Sequence, residues 1–159
     1  SWGMSNAAAT MVGQALGARK PERAEEAVWI TAIYNCVFLG TVSVLFIGFA
    51  PTIVGWFTQE PETFRWAVSS LRTISCGFVF FAFGMVLSQA FNGAGDTWTP
   101  TYLHLFCFWL FELPLAYVLA YHFDAGPWGV FLALTLAFSM LAVVSAIVFR
   151  QGRWKHKSV

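Results

Sequence analysis

The chain has 159 residues, of which 58% are hydrophobic and only 11% charged, and its net charge at pH 7 is +1. Soluble domains carry about 25% charged residues, so this composition excludes an ordinary soluble domain. The near-neutral balance of charge gives no basis for predicting nucleic-acid binding.

Long stretches without Asp, Glu, Lys or Arg define the fold class. The stretches 27–59, 73–95 and 125–149 each exceed the roughly 20 apolar residues that cross a bilayer as a helix. A fourth stretch, 97–123, is interrupted only by Glu112. We therefore predict an all-α, polytopic transmembrane bundle of about five helices. Its opening residues already follow a helical pattern, so we expect a fragment of a longer protein.

The first two predicted segments flank a charged turn. Segment one ends in the small-residue run 7–18, where Gly13 and Gly17 have the GxxxG spacing that lets helices approach closely in lipid. The charged residues 19–26 form the turn. Segment two is predicted at 24–50, and we expect it to stop at Pro51.

The remaining segments follow with short connections. Segment three is predicted as one helix over 61–91, and the turn 92–100 contains Gly95 for its backbone angles and Asp96 or Thr97 as candidate helix caps. Segment four is predicted at 101–121 and segment five at 128–149. We divide the chain into 1–150, part of a transmembrane lobe, and 151–159, a basic cytoplasmic tail.

The basic residues predict the orientation of the bundle. Seven of the nine Lys and Arg residues lie in the 19–26 turn and the C-terminal tail, and Arg65 and Arg72 are the exceptions. Counting helices places both connections, and the turn at 92–100, on one side of the membrane. The positive-inside rule makes that side the cytoplasm. We expect a multi-pass protein of the plasma (inner) membrane with a cytoplasmic C-terminus.

Several stretches resemble the multidrug and toxic compound extrusion (MATE) transporters. They are "AAATMVGQALGARKPERAEEAVW" at 7–29, "LSQAFNGAGDTWTPTYLHLFCFWLFELPLAY" at 87–117 and "FRQGRW" at 149–154. The residues of these stretches that we single out as structural motifs are Gly13, Gln14, Gly17, Gly95, Asp96, Pro100 and Pro114.

The resemblance implies a twelve-helix fold of two six-helix lobes, of which this chain would supply the end of helix eight through helix twelve. It implies export of amphipathic organic cations in exchange for protons or sodium. The partners would then be these cations, H⁺ or Na⁺, membrane lipid and the missing N-terminal lobe. It implies no enzyme activity, no cofactor beyond the coupling ion, no metal and no nucleic acid.

Glu112 is the candidate for ion coupling. The family carries acidic residues on helices seven and ten, or on helix one, whereas segment three here has no Asp or Glu between Arg72 and Gly95. An ionised side chain at mid-bilayer costs at least about 2.5–3.5 kcal/mol, so Glu112 should face the bundle or a wet cavity. Pro114 beside it predicts a kink. The alternative is a neutral carboxyl group that hydrogen-bonds a neighbouring helix and has a structural role.

Other polar and aromatic side chains are candidates for lining a cavity. Aromatic rings suit amphipathic cations through cation–π contacts, although most polar groups in such helices make interhelical hydrogen bonds instead. The cavity candidates are Asn35, Gln89, Asn92, Phe83 and Trp109. We interpret His104 as an interfacial histidine. The tryptophans at span ends, including Trp56, Trp66 and Trp154, are typical of interface belts.

Two other functions fit the sequence less well. A lipid-linked precursor flippase of the wider superfamily would require several basic residues inside a cavity, and only Arg65 and Arg72 lie near a span. A membrane-embedded enzyme would require His and carboxylate groups clustered at one membrane face. Here Asp96 and His104 lie at one face and His122 and Asp124 at the other.

Overall fold

The computed structural model describes residues 1–156, and this part of the chain is almost entirely helical. The six helices are α1 (Trp2–Gly17), α2 (Pro21–Gly55), α3 (Pro61–Cys76), α4 (Phe78–Gly93), α5 (Trp98–His122) and α6 (Gly126–Arg150). A short 3₁₀ turn, Arg153–His156, follows α6. The predicted tail residues 157–159 lie outside the described part.

Three of these helices are long and apolar enough to cross a membrane: α2, α5 and α6. The bent pair α3 and α4 would form a fourth crossing. Together with the shorter α1, they agree with the predicted bundle of about five helices.

Helix α2 continues beyond its predicted end at Pro51 and finishes at Gly55. Proline cannot donate the backbone hydrogen bond to the carbonyl four residues earlier, which is Ile47. The Arg72 side chain donates from Nε to that carbonyl oxygen at 3.3 Å. The prediction that the helix stops at Pro51 is wrong because a side chain from α3 replaces the missing donor.

The predicted segment three is not one helix. It is broken at Gly77, and α3 and α4 meet at an angle of 49°. The Gly77 N–H bonds to the carbonyl oxygen of Ile74, which is only three residues back, at 2.9 Å. The carbonyl that an α-helix would use, that of Thr73, accepts instead from the Thr135 hydroxyl of α6 at 2.9 Å. Tertiary packing therefore stabilises a break that the apolar run 73–95 does not reveal.

The core is densest where α1, α2, α4 and α6 meet. A Cβ atom on Gly93 would lie 2.2 Å from the carbonyl oxygen of Ala9, and one on Gly13 would lie 3.2 Å from that of Gly93. A Cβ on Gly17, the other half of the GxxxG pair, would have nothing within 4 Å. Close approach in α1 is therefore achieved by Gly13 against Gly93, while Gly17 marks the end of the helix.

Helix α5 lies at the periphery of the bundle. Its exposed apolar side chains include Phe106, Trp109, Leu110, Leu113 and Tyr117. The helix departs from α-geometry over Leu105–Glu112 and Val118–His122, where the backbone forms wider π-helical turns. Such turns are rare and occur frequently at functional sites.

Candidate functional site

Asn35 connects three helices at the middle of α2. Its side chain is fully buried, and Nδ2 donates to the Ser1 hydroxyl at 2.9 Å and to the Ala82 carbonyl at 3.0 Å. We predicted Asn35 as a cavity-lining residue with an interhelical hydrogen bond as the alternative, and the structure shows the interhelical bond. Its Oδ1 atom accepts no hydrogen bond from residues 1–156.

An open groove lies between the end of α4 and the beginning of α5. Its volume is about 480 Å³, and its walls combine polar and aromatic groups: Asn92, Pro100, Thr101, His104, Leu105, Phe108 and Trp109. Two of the five predicted cavity residues, Asn92 and Trp109, line this groove, and Asn92 donates to the side-chain oxygen of a third, Gln89, at 2.9 Å. Phe83 packs on Trp29 instead, with ring centroids 5.8 Å apart.

His104 is held in place at this groove. Its Nδ1 atom lies 2.7 Å from the Pro100 carbonyl oxygen, and its ring stacks on Phe108 with centroids 5.7 Å apart. The flat aromatic face and the carbonyl-anchored imidazole give the groove a fixed wall that could contact a planar, amphipathic molecule.

The turn between α4 and α5 has the predicted structure. Gly95 has φ +76, a conformation that favours glycine. Asp96 is buried and accepts from both the Thr99 backbone N–H (3.2 Å) and the Thr99 hydroxyl (2.7 Å). Of the two predicted caps, Thr97 holds the N-cap position without a capping side-chain bond, and Asp96, one residue earlier, accepts from the first turn of α5.

Glu112 lies at the end of the first π-helical stretch of α5 and is half-buried. Within residues 1–156 no side chain or backbone group hydrogen-bonds to its carboxyl group. The structure therefore does not show the interhelical bond that a purely structural role would use. Helical structure continues through the exposed Pro114, and the predicted kink there stays a prediction.

Sequence reasoning missed an aromatic cluster at the end of the bundle. Trp154 is 1% exposed, stacks on Phe149 at 4.7 Å and donates from Nε1 to the Phe149 carbonyl at 3.0 Å. Phe149 also contacts Trp29 and Phe91, at 5.7 and 5.9 Å between ring centroids. The interpretation of Trp154 as an interface-belt residue is wrong, because the chain turns back after α6 and buries the ring.

An ion pair between Lys155 and Glu25 lies at the same end of the bundle as the aromatic cluster. Lys155 bonds to Glu25 of α2, so the 19–26 turn and the start of the tail lie at one end of the bundle, as predicted. Glu25 precedes the charge-free stretch from Ala27 that would cross the hydrocarbon. The hydrogen bond from Lys155 is the main cause that lowers the pKa of Glu25, and partial burial opposes it.

The cysteines and acidic groups form no metal site within the described residues. All three cysteines are free thiols: Cys107 is buried, Cys36 is half-buried and Cys76 is exposed.

The bundle of long apolar helices with one broken span defines a multi-pass membrane protein. The MatE family pattern matches residues 1–118, which is most of the chain. The chain therefore belongs to the MatE family. Members of this family are transporters, which removes the membrane-enzyme alternative.

Two curated relatives illustrate the similarity. The probable multidrug resistance protein NorM of Thermotoga maritima is 23% identical over 159 residues, which are 100% of this chain and 34% of the relative. Protein DETOXIFICATION 14 of Arabidopsis thaliana is 28% identical over 153 residues, 96% of this chain and 31% of the relative. The chain thus spans about a third of the length of these relatives.

Two solved structures have nearly the same fold. One is an inward-facing multidrug resistance MATE family transporter (25% identity, TM-score 0.89), matched over 99% of this chain and 37% of its own. The other is an outward-facing transporter of the same description (25% identity, TM-score 0.89), matched over 95% and 34%. The similarity to the two conformations is therefore equally high.

Proposed function

We propose that this chain is part of the C-terminal lobe of a secondary-active multidrug efflux antiporter. The complete protein would export amphipathic organic cations in exchange for protons or sodium by alternating access. It would lie in the plasma (inner) membrane with the 19–26 turn and the tail in the cytoplasm. The missing N-terminal lobe would supply the other wall of the substrate path.

The observation that carries this proposal is the equal match to inward-facing and outward-facing transporters, each with a TM-score of 0.89. A lobe that fits both conformations equally well is suited to move as a rigid body. In transporters built from two related halves, alternating access is largely such rocking around a central site.

The groove between α4 and α5 is the proposed place of contact with substrate in this lobe. Trp109 is 66% exposed there and offers a ring face for a cation. Asn92 and His104 supply polar contacts that would orient an amphipathic molecule. Glu112, one turn beyond Trp109 on α5, is the proposed ion-coupling group, since it is half-buried and has no partner within residues 1–156.

The test is transport by the complete protein that contains this chain, reconstituted into liposomes with a fluorescent lipophilic cation inside. We expect the dye to leave only when an inward proton or sodium gradient is imposed, and imposing each gradient separately identifies the coupling ion. Collapsing the gradient with an ionophore is the control. Gradient-independent flipping of a lipid-linked diphosphate, without dye movement, would support the flippase alternative instead.

A further inference from the structure

The exposed face of α3 carries two arginines, and within residues 1–156 only Arg72 makes a hydrogen bond to another helix, through its Nε atom. Arg65 and Arg72 are seven residues apart, so they lie on the same side of the helix, about 10.5 Å apart along its axis. Ser69 lies between them, and Phe64, Val68 and Thr73 complete the lining of a shallow groove of about 460 Å³.

The position of this groove across the membrane follows from the contact between α3 and α2. A helix that enters the hydrocarbon at Ala27 has risen about 30 Å by Ile47, which is the thickness of the hydrocarbon core. Arg72 bonds to the Ile47 carbonyl, so its guanidinium lies at the membrane boundary opposite the 19–26 turn. Arg65 lies further out, and the two guanidinium groups bracket the headgroup layer.

The charges of this face are not neutralised inside the bundle. No Asp or Glu in the described part of the chain forms an ion pair with Arg65 or Arg72, although Glu62 is three residues before Arg65. Arg72 uses Nε for the Ile47 carbonyl, which fixes the side chain and leaves its two terminal NH₂ groups free to bind an anion.

The surroundings suit a lipid more than a soluble anion. Trp56 and Trp66 are 77% and 40% exposed near the same end of the bundle, as is typical of side chains at the headgroup level. Phe64 and Val68 give the groove an apolar wall beside the arginines, along which an acyl chain could pack. A guanidinium group binds a phosphate through paired, charge-assisted hydrogen bonds.

We propose that the Arg65–Ser69–Arg72 face of α3 binds the phosphate headgroup of an anionic phospholipid in the leaflet opposite the 19–26 turn. Calling this the outer leaflet depends on the orientation given under the proposed function. The lipid would anchor the α2–α3 hairpin at the interface, next to the break at Gly77.

The test uses the complete protein in detergent, with native mass spectrometry to count bound phosphatidylglycerol against phosphatidylcholine. We expect preferential retention of phosphatidylglycerol, weakened at least fivefold by Arg65→Gln and further by the double variant with Arg72→Gln, because each arginine near an anionic headgroup contributes about 1 kcal/mol. The matched control is Glu62→Gln, which removes an exposed charge beside Arg65 without removing an arginine and should not weaken retention.

Two results would overturn the proposal. One is equal retention of phosphatidylglycerol by the wild type and Arg65→Gln, a variant that removes no hydrogen bond or ion pair within residues 1–156 and should fold. The other is displacement of the lipid by excess inorganic phosphate, which would assign the face to a soluble anion. Because lipid binding is measured without transport, a failure here is distinct from a failure of the proposed efflux function.

Discussion

Gly93 and Ala9 are in direct backbone contact where α4 crosses α1, so closely that a Cβ on Gly93 would lie 2.2 Å from the Ala9 carbonyl oxygen. Helices in lipid gain little from hydrophobic burial and associate through such close packing. This contact therefore fixes the distance between two helices of the lobe.

We expect Gly93→Ala to force α1 and α4 apart and to lower the free energy of unfolding by about 1–3 kcal/mol, the usual cost of overpacking. The measurement is the thermal unfolding midpoint of the complete protein in detergent. Gly17→Ala is the matched control, because its added methyl group meets no atom within 4 Å. Equal midpoints for both variants would contradict the close contact.

We expect Thr135→Val to destabilise the break between α3 and α4 by about 1–2 kcal/mol, since the Thr73 carbonyl would lose the hydroxyl donor that it has in α6. Thr41→Val removes a hydroxyl that, among the described residues, bonds to the Val37 carbonyl of its own helix. It should change the unfolding midpoint much less. A larger effect from Thr41→Val would indicate that the break does not depend on α6.

We expect Trp154→Ala to release the end of α6 from the bundle, because the ring is buried on Phe149 and anchored to its carbonyl. Limited proteolysis with trypsin should then cleave after Arg153 or Lys155 several-fold faster than in the wild type. Trp56→Ala, which removes a ring that is 77% exposed, is the control and should leave the cleavage rate unchanged.

The ion pair between Glu25 and Lys155 should give a small, pH-dependent contribution to stability. The pKa of the Glu25 carboxyl group is lowered in the folded protein. The stabilisation is therefore present above the ordinary carboxyl pKa of about 4.3 and is lost as the pH falls through the pKa of Glu25 in the folded state. Because both side chains are about a third exposed, we expect only about 0.5 kcal/mol at neutral pH.

The measurement for this ion pair is the difference in unfolding midpoint between the wild type and Glu25→Gln across pH 3 to 7. The difference should be largest near neutrality and disappear at the acidic end. Glu22→Gln, which removes an exposed carboxylate from the same turn but no ion pair within the described residues, is the control. A difference that grows on acidification would reverse the sign that we assign.

We expect Glu112→Gln to weaken ion-coupled dye efflux while leaving the amount of folded protein unchanged. Within the described residues the carboxyl group has no hydrogen-bond partner whose loss would disturb packing, and glutamine keeps its size. Dye efflux across pH 6 to 8 is the measurement, with Glu62→Gln as the control outside the membrane. Unchanged efflux would rule out Glu112 as the ion-coupling group.

The sequence by itself determined the class of the protein, the approximate number of helices and the common side of its two basic connections. These follow from the length of the uncharged stretches and from the positions of Lys and Arg. Both are local properties of the sequence, and they determine how a segment crosses and orients in a bilayer. The turn at Gly95 and the bonds of Asp96 were also predictable from the sequence, because each depends only on neighbouring residues in the chain.

Only the tertiary structure decided where helices break, continue and touch. Arg72 donates to the Ile47 carbonyl, so α2 continues beyond Pro51. Thr135 donates to the Thr73 carbonyl and stabilises the break at Gly77. Trp154 is buried in the core and does not lie at the membrane interface. Arg72 and Thr135 depend on partners that are distant in the chain, and Trp154 stacks on Phe149, which itself packs against Trp29 and Phe91 of other helices. No periodicity or composition could reveal these contacts. In a membrane, an unpaired backbone carbonyl has no water to bond to. Side-chain donors from other helices therefore determine whether a helix ends at a proline or breaks within an apolar stretch.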